Sequence, residues 1–160
     1  MVSNQSTSVN DAESELNSVK YPNIEVISQY IKDLSFEVST APWKFSPNSD
    51  TPEVKSNVGL HYEPTDSEDV LEVCLDIKTE VSCGDKTLFL IDIEYNSVFK
   101  LMDVSEEDRV PILMIYCPNL IFPFVRQIIC NVTQNGGFQP LILKPINFHE
   151  MYYNTAKDLQ

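Results

Sequence analysis

Val110 to Val125 reads VPILMIYCPNLIFPFV, sixteen residues in which Asn119 is the only polar side chain. Arg109 and Arg126 bracket the run, and Pro111, Pro118 and Pro123 interrupt it. It is shorter than the roughly 20 apolar residues that cross a bilayer, so it reads as a helix buried in protein. Such a helix cannot be the one-stripe element that lies on a single sheet, because it is apolar nearly all round. Burying it fully takes a second surface that one small sheet with two helices does not supply, so self-association through this helix as a symmetric oligomer is expected. The alternative is ordinary burial under the second helix and the loops.

The residues around the run set the rest of the fold. Ser105-Glu106-Glu107-Asp108 has the form of an N-cap followed by acids in the first turn. The helix should run from about Glu106 to Thr133 and stop at Gly136-Gly137, with Pro118 and Pro123 kinking or breaking it. After a short loop, 138 to 145, a second helix is expected over about 147 to 157. Upstream the period is two. Lys32 to Val38 alternates strictly, with Leu34, Phe36 and Val38 on one face. Further strands are expected at about 53–62, 70–83 and 86–95, the last two joined by a tight turn at Gly84-Asp85. Their inward sets are Val54, Val58, Leu60 and Tyr62, then Leu71, Val73, Leu75, Ile77 and Val81, then Phe89, Ile91, Ile93 and Tyr95. The fold class is α+β: a four-stranded antiparallel sheet followed by one long kinked helix and a shorter C-terminal helix. Residues 1–20, rich in Ser, Asn, Asp and Glu, are expected to be a disordered arm, and 21–160 a single domain. A chain of 160 residues supports one domain without disulfide or metal.

The formal charge of −13, from 24 acids against 11 bases, argues against a nucleic-acid binder or a protein docked on anionic lipid. The outward face of the sheet carries Asp33, Glu37, Glu53, Glu72, Asp76, Glu80, Asp92 and Glu94 against Lys55 and Lys78. An ordinary solvated sheet face has that pattern. So does an acidic platform for a basic partner, and Leu90 beside Asp92 would then be an apolar contact. The cysteines Cys74, Cys83, Cys117 and Cys130 form no CxxC pair and only two histidines are present, so neither a zinc site nor another cofactor is expected. The N-terminus lacks the apolar core of a signal peptide, so reduced cysteines in a cytoplasm are the expectation. A Cys117/His149 nucleophile pair is disfavoured because a thiolate is unstable in an apolar helix. No glycine-rich phosphate loop is present, and the chain is not expected to be an enzyme.

Several collinear motifs now become recognisable. Lys32-Asp33-Leu34-Ser35-Phe36-Glu37, Pro52-Glu53-Val54-Lys55, and Tyr116-Cys117-Pro118-Asn119-Leu120-Ile121-Phe122-Pro123-Phe124 with Arg126 resemble, in order, the first strand, second strand and central helix of SecB, the bacterial protein-export chaperone family. Phe138, Pro140, Leu141, Leu143, Pro145, Ile146, Asn147 and Phe148 follow with the family's spacing. The resemblance covers about 31–154. It implies a cytoplasmic homotetramer built as a dimer of dimers, an ATP-independent holdase that keeps precursor proteins unfolded and delivers them to the SecA motor of the translocase. It places the docking of SecA's zinc-containing tail on Asp33, Glu37, Leu90 and Asp92, with aspartate at the last position where the family has glutamate. It places the client groove on Trp43, Phe45, Phe138, Leu141, Leu143, Phe148, Met151 and Tyr152. Contact between copies falls to Ile112, Ile115, Tyr116, Cys117, Pro118, Leu120 and Phe122. The alternatives are a SecB-like chaperone dedicated to an antitoxin or another client, and a non-enzymatic oligomeric adaptor.

Overall fold

The structure, a computed structural model, describes residues 22–44 and 51–158. The expected arm at 1–20 and the client residue Phe45 lie outside the described residues. Four strands, β1 (Ile24–Val38), β2 (Glu53–Pro64), β3 (Val70–Cys83) and β4 (Lys86–Leu101), form one antiparallel sheet in the order β1-β4-β3-β2. A single turn of 3-10 helix, Pro42–Lys44, follows β1. Helix α1 covers Glu106–Asn135, and α2 covers Phe148–Asp158.

The strands obey the period seen in the sequence where it is unbroken. Leu34, Phe36 and Val38 pair with Ile93, Ile91 and Phe89, so all six share the inner face. The period fails at identifiable places. Bulges between Val26 and Ser28 and between Ile31 and Asp33 shift the register of β1. β4 continues six residues past the expected end because Asn96 and Ser97, both buried, interrupt its alternation. Ser97 Oγ donates to the Ser28 carbonyl at 3.1 Å. At the hairpin Gly84 has φ +58, the first central position that favours glycine in a type II′ turn.

α1 passes through its prolines without breaking, and its regular winding is interrupted just before Pro118. Ile112–Tyr116 is a π-helical turn in which the Cys117 N–H reaches back five residues to the Ile112 carbonyl. Pro118, which has no N–H to give, thus falls at the start of the α-helical segment Cys117–Asn135, where a donor is least needed. Asn119 Nδ2 donates to the Ile115 carbonyl at 2.7 Å. The N-terminus is capped as expected: Ser105 Oγ accepts the Asp108 N–H at 3.3 Å. Arg109 pins this end to the β2–β3 turn, donating to the Glu68 carbonyl and lying 3.8 Å from Asp69. The far end stops where Gly137 adopts φ +86. Its neighbour Gly136 is required for a different reason, since a Cβ there would lie 2.3 Å from the Phe36 ring.

Only one stripe of α1 is inside: Leu113, Cys117, Ile121, Val125, Ile129 and Thr133, four residues apart, flanked by Pro118 and Phe122. It packs on Leu71, Val73, Leu75, Ile77, Ile91, Ile93, Tyr95 and Phe99 of the two central strands. By length and composition α1 could cross a membrane, but here its stripe is the lid of the core. A helix about 10 Å wide covers about two strands spaced ~4.8 Å apart. The inner faces of the outer strands are therefore left partly open: Val26, Ile31, Leu34 and Val38 on β1, and Val54 and Tyr62 on β2, are exposed. α2 begins at an Asn147 cap, whose Oδ1 accepts the Glu150 N–H at 3.1 Å. It buries Phe148 edge-on to Phe122, ring centroids 6.0 Å apart.

Candidate functional site

Two surfaces follow from this geometry, one on each face of the sheet. On the outer face, antiparallel pairing lines residues up in transverse rows. Glu37, Leu90, Glu80 and Lys55 make one row across β1, β4, β3 and β2. Ser35, Asp92, Lys78 and Asn57 make the next, and Asp33, Glu94, Asp76 and Gly59 the one after. The four residues expected to dock a basic partner are thus brought together within three adjacent rows. Leu90 is 39% exposed, an apolar side chain between the carboxylates of Glu37 and Glu80.

The acids are not all unpaired. Lys78 Nζ lies 2.8 Å from Asp92 Oδ2, and Lys32 Nζ 2.6 Å from Glu94 Oε1. Hydrogen bonding to those carboxylates raises both lysine pKa values. Asp76 is held above its ordinary value by partial burial and then by the nearby Glu94 charge. His61 Nδ1 stands 3.9 Å from Asp76. One row further along, the alternation misleads: Cys74 and Asn96 point outward yet are fully buried. They lie in the row of Tyr30, whose hydroxyl donates to Glu72. Among the described residues no cluster of His, Cys, Asp and Glu is arranged to hold a metal ion.

On the inner face, the segment after α1 runs beside β2 and closes a trough. One part is lined by Pro52, Val54, Ser56, Val58, Ile77 and residues 141–146. The next is lined by Pro42, Val81, Leu88, Phe89, Phe138 and Pro140. The two share Pro52, Val54 and Leu141 and so are continuous. Phe138 is fixed by its ring, 4.7 Å from Phe89, which in turn lies 5.4 Å from Phe36.

Of the expected client residues, the trough brings together Phe138, Leu141 and Leu143, the last of which is also buried in the core. Trp43, 81% exposed, stands next to Pro42 at one end without lining it. Met151 and Tyr152 are half-buried on α2 and are not among the lining residues. Phe148 is corrected: at 1% exposure it belongs to the core, because the first turn of α2 packs under α1. Val54, Val58 and Ile142 line the trough and were not singled out for it. Val54 and Val58 were assigned inward by alternation, and the reason they reach a surface is that α1 does not cover β2.

The contact residues divide in the same way. Cys117, Pro118 and Phe122 are core of the chain itself, a correction that follows from the stripe α1 turns to the sheet. Ile112, Ile115 and Tyr116 are half-buried and Leu120 is exposed, joined by Phe124 at 52% exposure.

The family model described as preprotein translocase subunit SecB matches residues 17–158. Protein-export protein SecB of Agrobacterium fabrum is 40% identical over 139 residues, 87% of this chain and 86% of the relative. That of Mesorhizobium japonicum is 38% identical over 160 residues, 100% of this chain and 95% of the relative. Among solved structures, a Mycobacterium tuberculosis SecB-like chaperone in complex with a peptide from the HigA1 antitoxin has a TM-score of 0.66, covering 77% of this chain and 90% of that one. At 12% identity that likeness is one of fold. With strand order, helix and motif residues all accounted for by the matched span, the chain belongs to the SecB family of protein-export chaperones.

Proposed function

We propose that this chain works as a protein-export holdase without nucleotide or cofactor, keeping precursor proteins unfolded and passing them to the SecA motor in the cytoplasm. The observation that carries the reading is the trough beside β2, mostly apolar and open to solvent. Aliphatic and aromatic walls give contact area to an extended apolar segment without demanding one polar partner. β2 is an edge strand, so its outer backbone groups are placed to pair with extended chain. Non-enzymatic action is supported by Cys117, which is fully buried with its thiol pushed up to about 12 by that burial.

The outer face is the proposed seat of SecA's basic tail, on Asp33, Glu37, Leu90 and Asp92. The open inner face of β1 and the exposed side of α1 are the proposed contacts of a homotetramer, a dimer of dimers. Several troughs on one assembly would raise the effective concentration of sites for one long client.

The test is light scattering of a reduced, unfolded protein with this chain present and nucleotide absent, paired with capture of the zinc-loaded SecA tail. Suppressed aggregation and salt-sensitive capture are expected. Docking should weaken as salt rises, since exposed charges are screened beyond about 8 Å at physiological ionic strength, while apolar client binding changes much less. Unchanged aggregation would overturn the chaperone reading. Suppression without SecA capture would leave a chaperone dedicated to another task, such as guarding an antitoxin.

A further inference from the structure

The outer face carries its own competitor for a basic partner. Asp92 and Lys78 are directly paired across β4 and β3, and their charged atoms are 2.8 Å apart with both side chains reaching solvent. The pair borders the same shallow depression as Glu37, Leu90 and Lys55. A cation arriving over Leu90 to meet Asp92 therefore finds an ammonium already there. Lys55, one row away, is not equivalent: its near carboxylate is Glu53 at 3.6 Å on its own strand.

We propose that Lys78 is a specificity-determining residue of the docking face: a partner engages Asp92 only by displacing the Lys78 ammonium. This rests on the reading of that face as the seat of a basic tail. An exposed pair of this kind is weak, so Lys78 tunes docking and does not block it. Exchanging one cation for another brings little net gain, so a segment offering charge alone is penalised. A segment that also covers Leu90 gains apolar contact Lys78 does not contest. Discrimination of this sort comes from raising the threshold for the wrong ligand.

The experiment measures binding of two probes, the zinc-loaded SecA tail and a plain oligolysine peptide of equal charge, to the full chain and to Lys78→Gln. The variant should bind the tail about two- to fivefold tighter and oligolysine by a larger factor, so that the preference for the tail shrinks. In an Asp92→Asn background the effect of Lys78→Gln should vanish, and Lys55→Gln should change either affinity less. No tightening, or equal gains from Lys55→Gln and Lys78→Gln, would overturn the proposal in favour of a net-charge effect. Leu90→Ala separates the two levels. If it weakens the tail while Lys78→Gln does nothing, only the role of Lys78 falls. If neither Leu90→Ala nor Asp92→Asn changes binding, the docking reading falls with it.

Discussion

Thr133 Oγ1 accepts the backbone N–H of Leu141 at 2.9 Å, tying the last turn of α1 to the segment that walls the trough. The same hydroxyl lies 2.9 Å from the Ile129 carbonyl and 3.0 Å from that of Cys130, and Thr133 is fully buried. Thr133→Val keeps the shape but leaves the Leu141 N–H without its partner. A loss of about 1–3 kcal/mol is expected, read as a lower urea midpoint. Client affinity should fall with it, because Leu141 lines both parts of the trough. Thr133→Ser, which retains the hydroxyl, should recover the binding.

The two fully buried thiols make the fold sensitive to alkali. Burial pushes Cys117 from 9.0 to about 12, and burial with the Glu72 charge pushes Cys74 from 9.0 to about 11. The folded chain holds these protons more tightly than the unfolded one. Their stabilising contribution is therefore complete below pH 9 and is lost as pH rises toward 11 and 12. Urea midpoints should fall above pH 9, and Cys74→Ala or Cys117→Ala should flatten the decline. Burial also raises Tyr95, so part of the slope should remain in the double variant. At pH 8 neither thiol should react with a disulfide reagent until the chain unfolds.

Legibility followed the regularity of the local pattern. The bounds of β3, the inward sets of all four strands, the Ser105 cap and the stop at Gly136-Gly137 could be read because period and punctuation agree there. α1 defeated the reading twice. Its composition does not say which stripe faces the sheet, so Cys117, Pro118 and Phe122 were assigned to a partner when they belong to the core. The π turn that absorbs Pro118 has no sequence signature. The outer site was legible because alternation fixes which side chains leave the sheet, and strand pairing then sets Glu37 opposite Leu90 and Ser35 opposite Asp92. The Lys78–Asp92 pair needs the β3–β4 register, which sequence alone does not supply. Cys74 shows the opposite failure, an outward position that is nonetheless fully buried.

Leu120 and Phe124 stand on the exposed side of α1 at 38% and 52% exposure, large apolar groups that the described residues leave open. A charge placed there should prevent association while leaving the buried stripe intact. Phe124→Glu is expected to lower the molar mass in light scattering toward the 18.2 kDa of one chain, with unchanged far-ultraviolet circular dichroism. If the mass does not move, association does not use this side of α1, and the exposed inner face of β1 becomes the surface to test.

Val54 allows the trough to be altered without damaging the core. It lines both parts, yet it is 45% exposed, so its replacement leaves no deep cavity. Val54→Asp should change stability by no more than about 0.5 kcal/mol, as surface substitutions do. A carboxylate covered by an apolar client loses its water without gaining a partner. Client binding should weaken at least about tenfold, the equivalent of roughly 1.4 kcal/mol, and aggregation should resume at stoichiometries where the parent chain suppresses it. Docking of the SecA tail should be untouched, because Val54 and Leu90 lie on opposite faces of the sheet. Equal loss of both activities would mean that the two faces are not separate sites, and unchanged client binding would place clients elsewhere, with the half-buried Met151 and Tyr152 of α2 as the next positions to substitute.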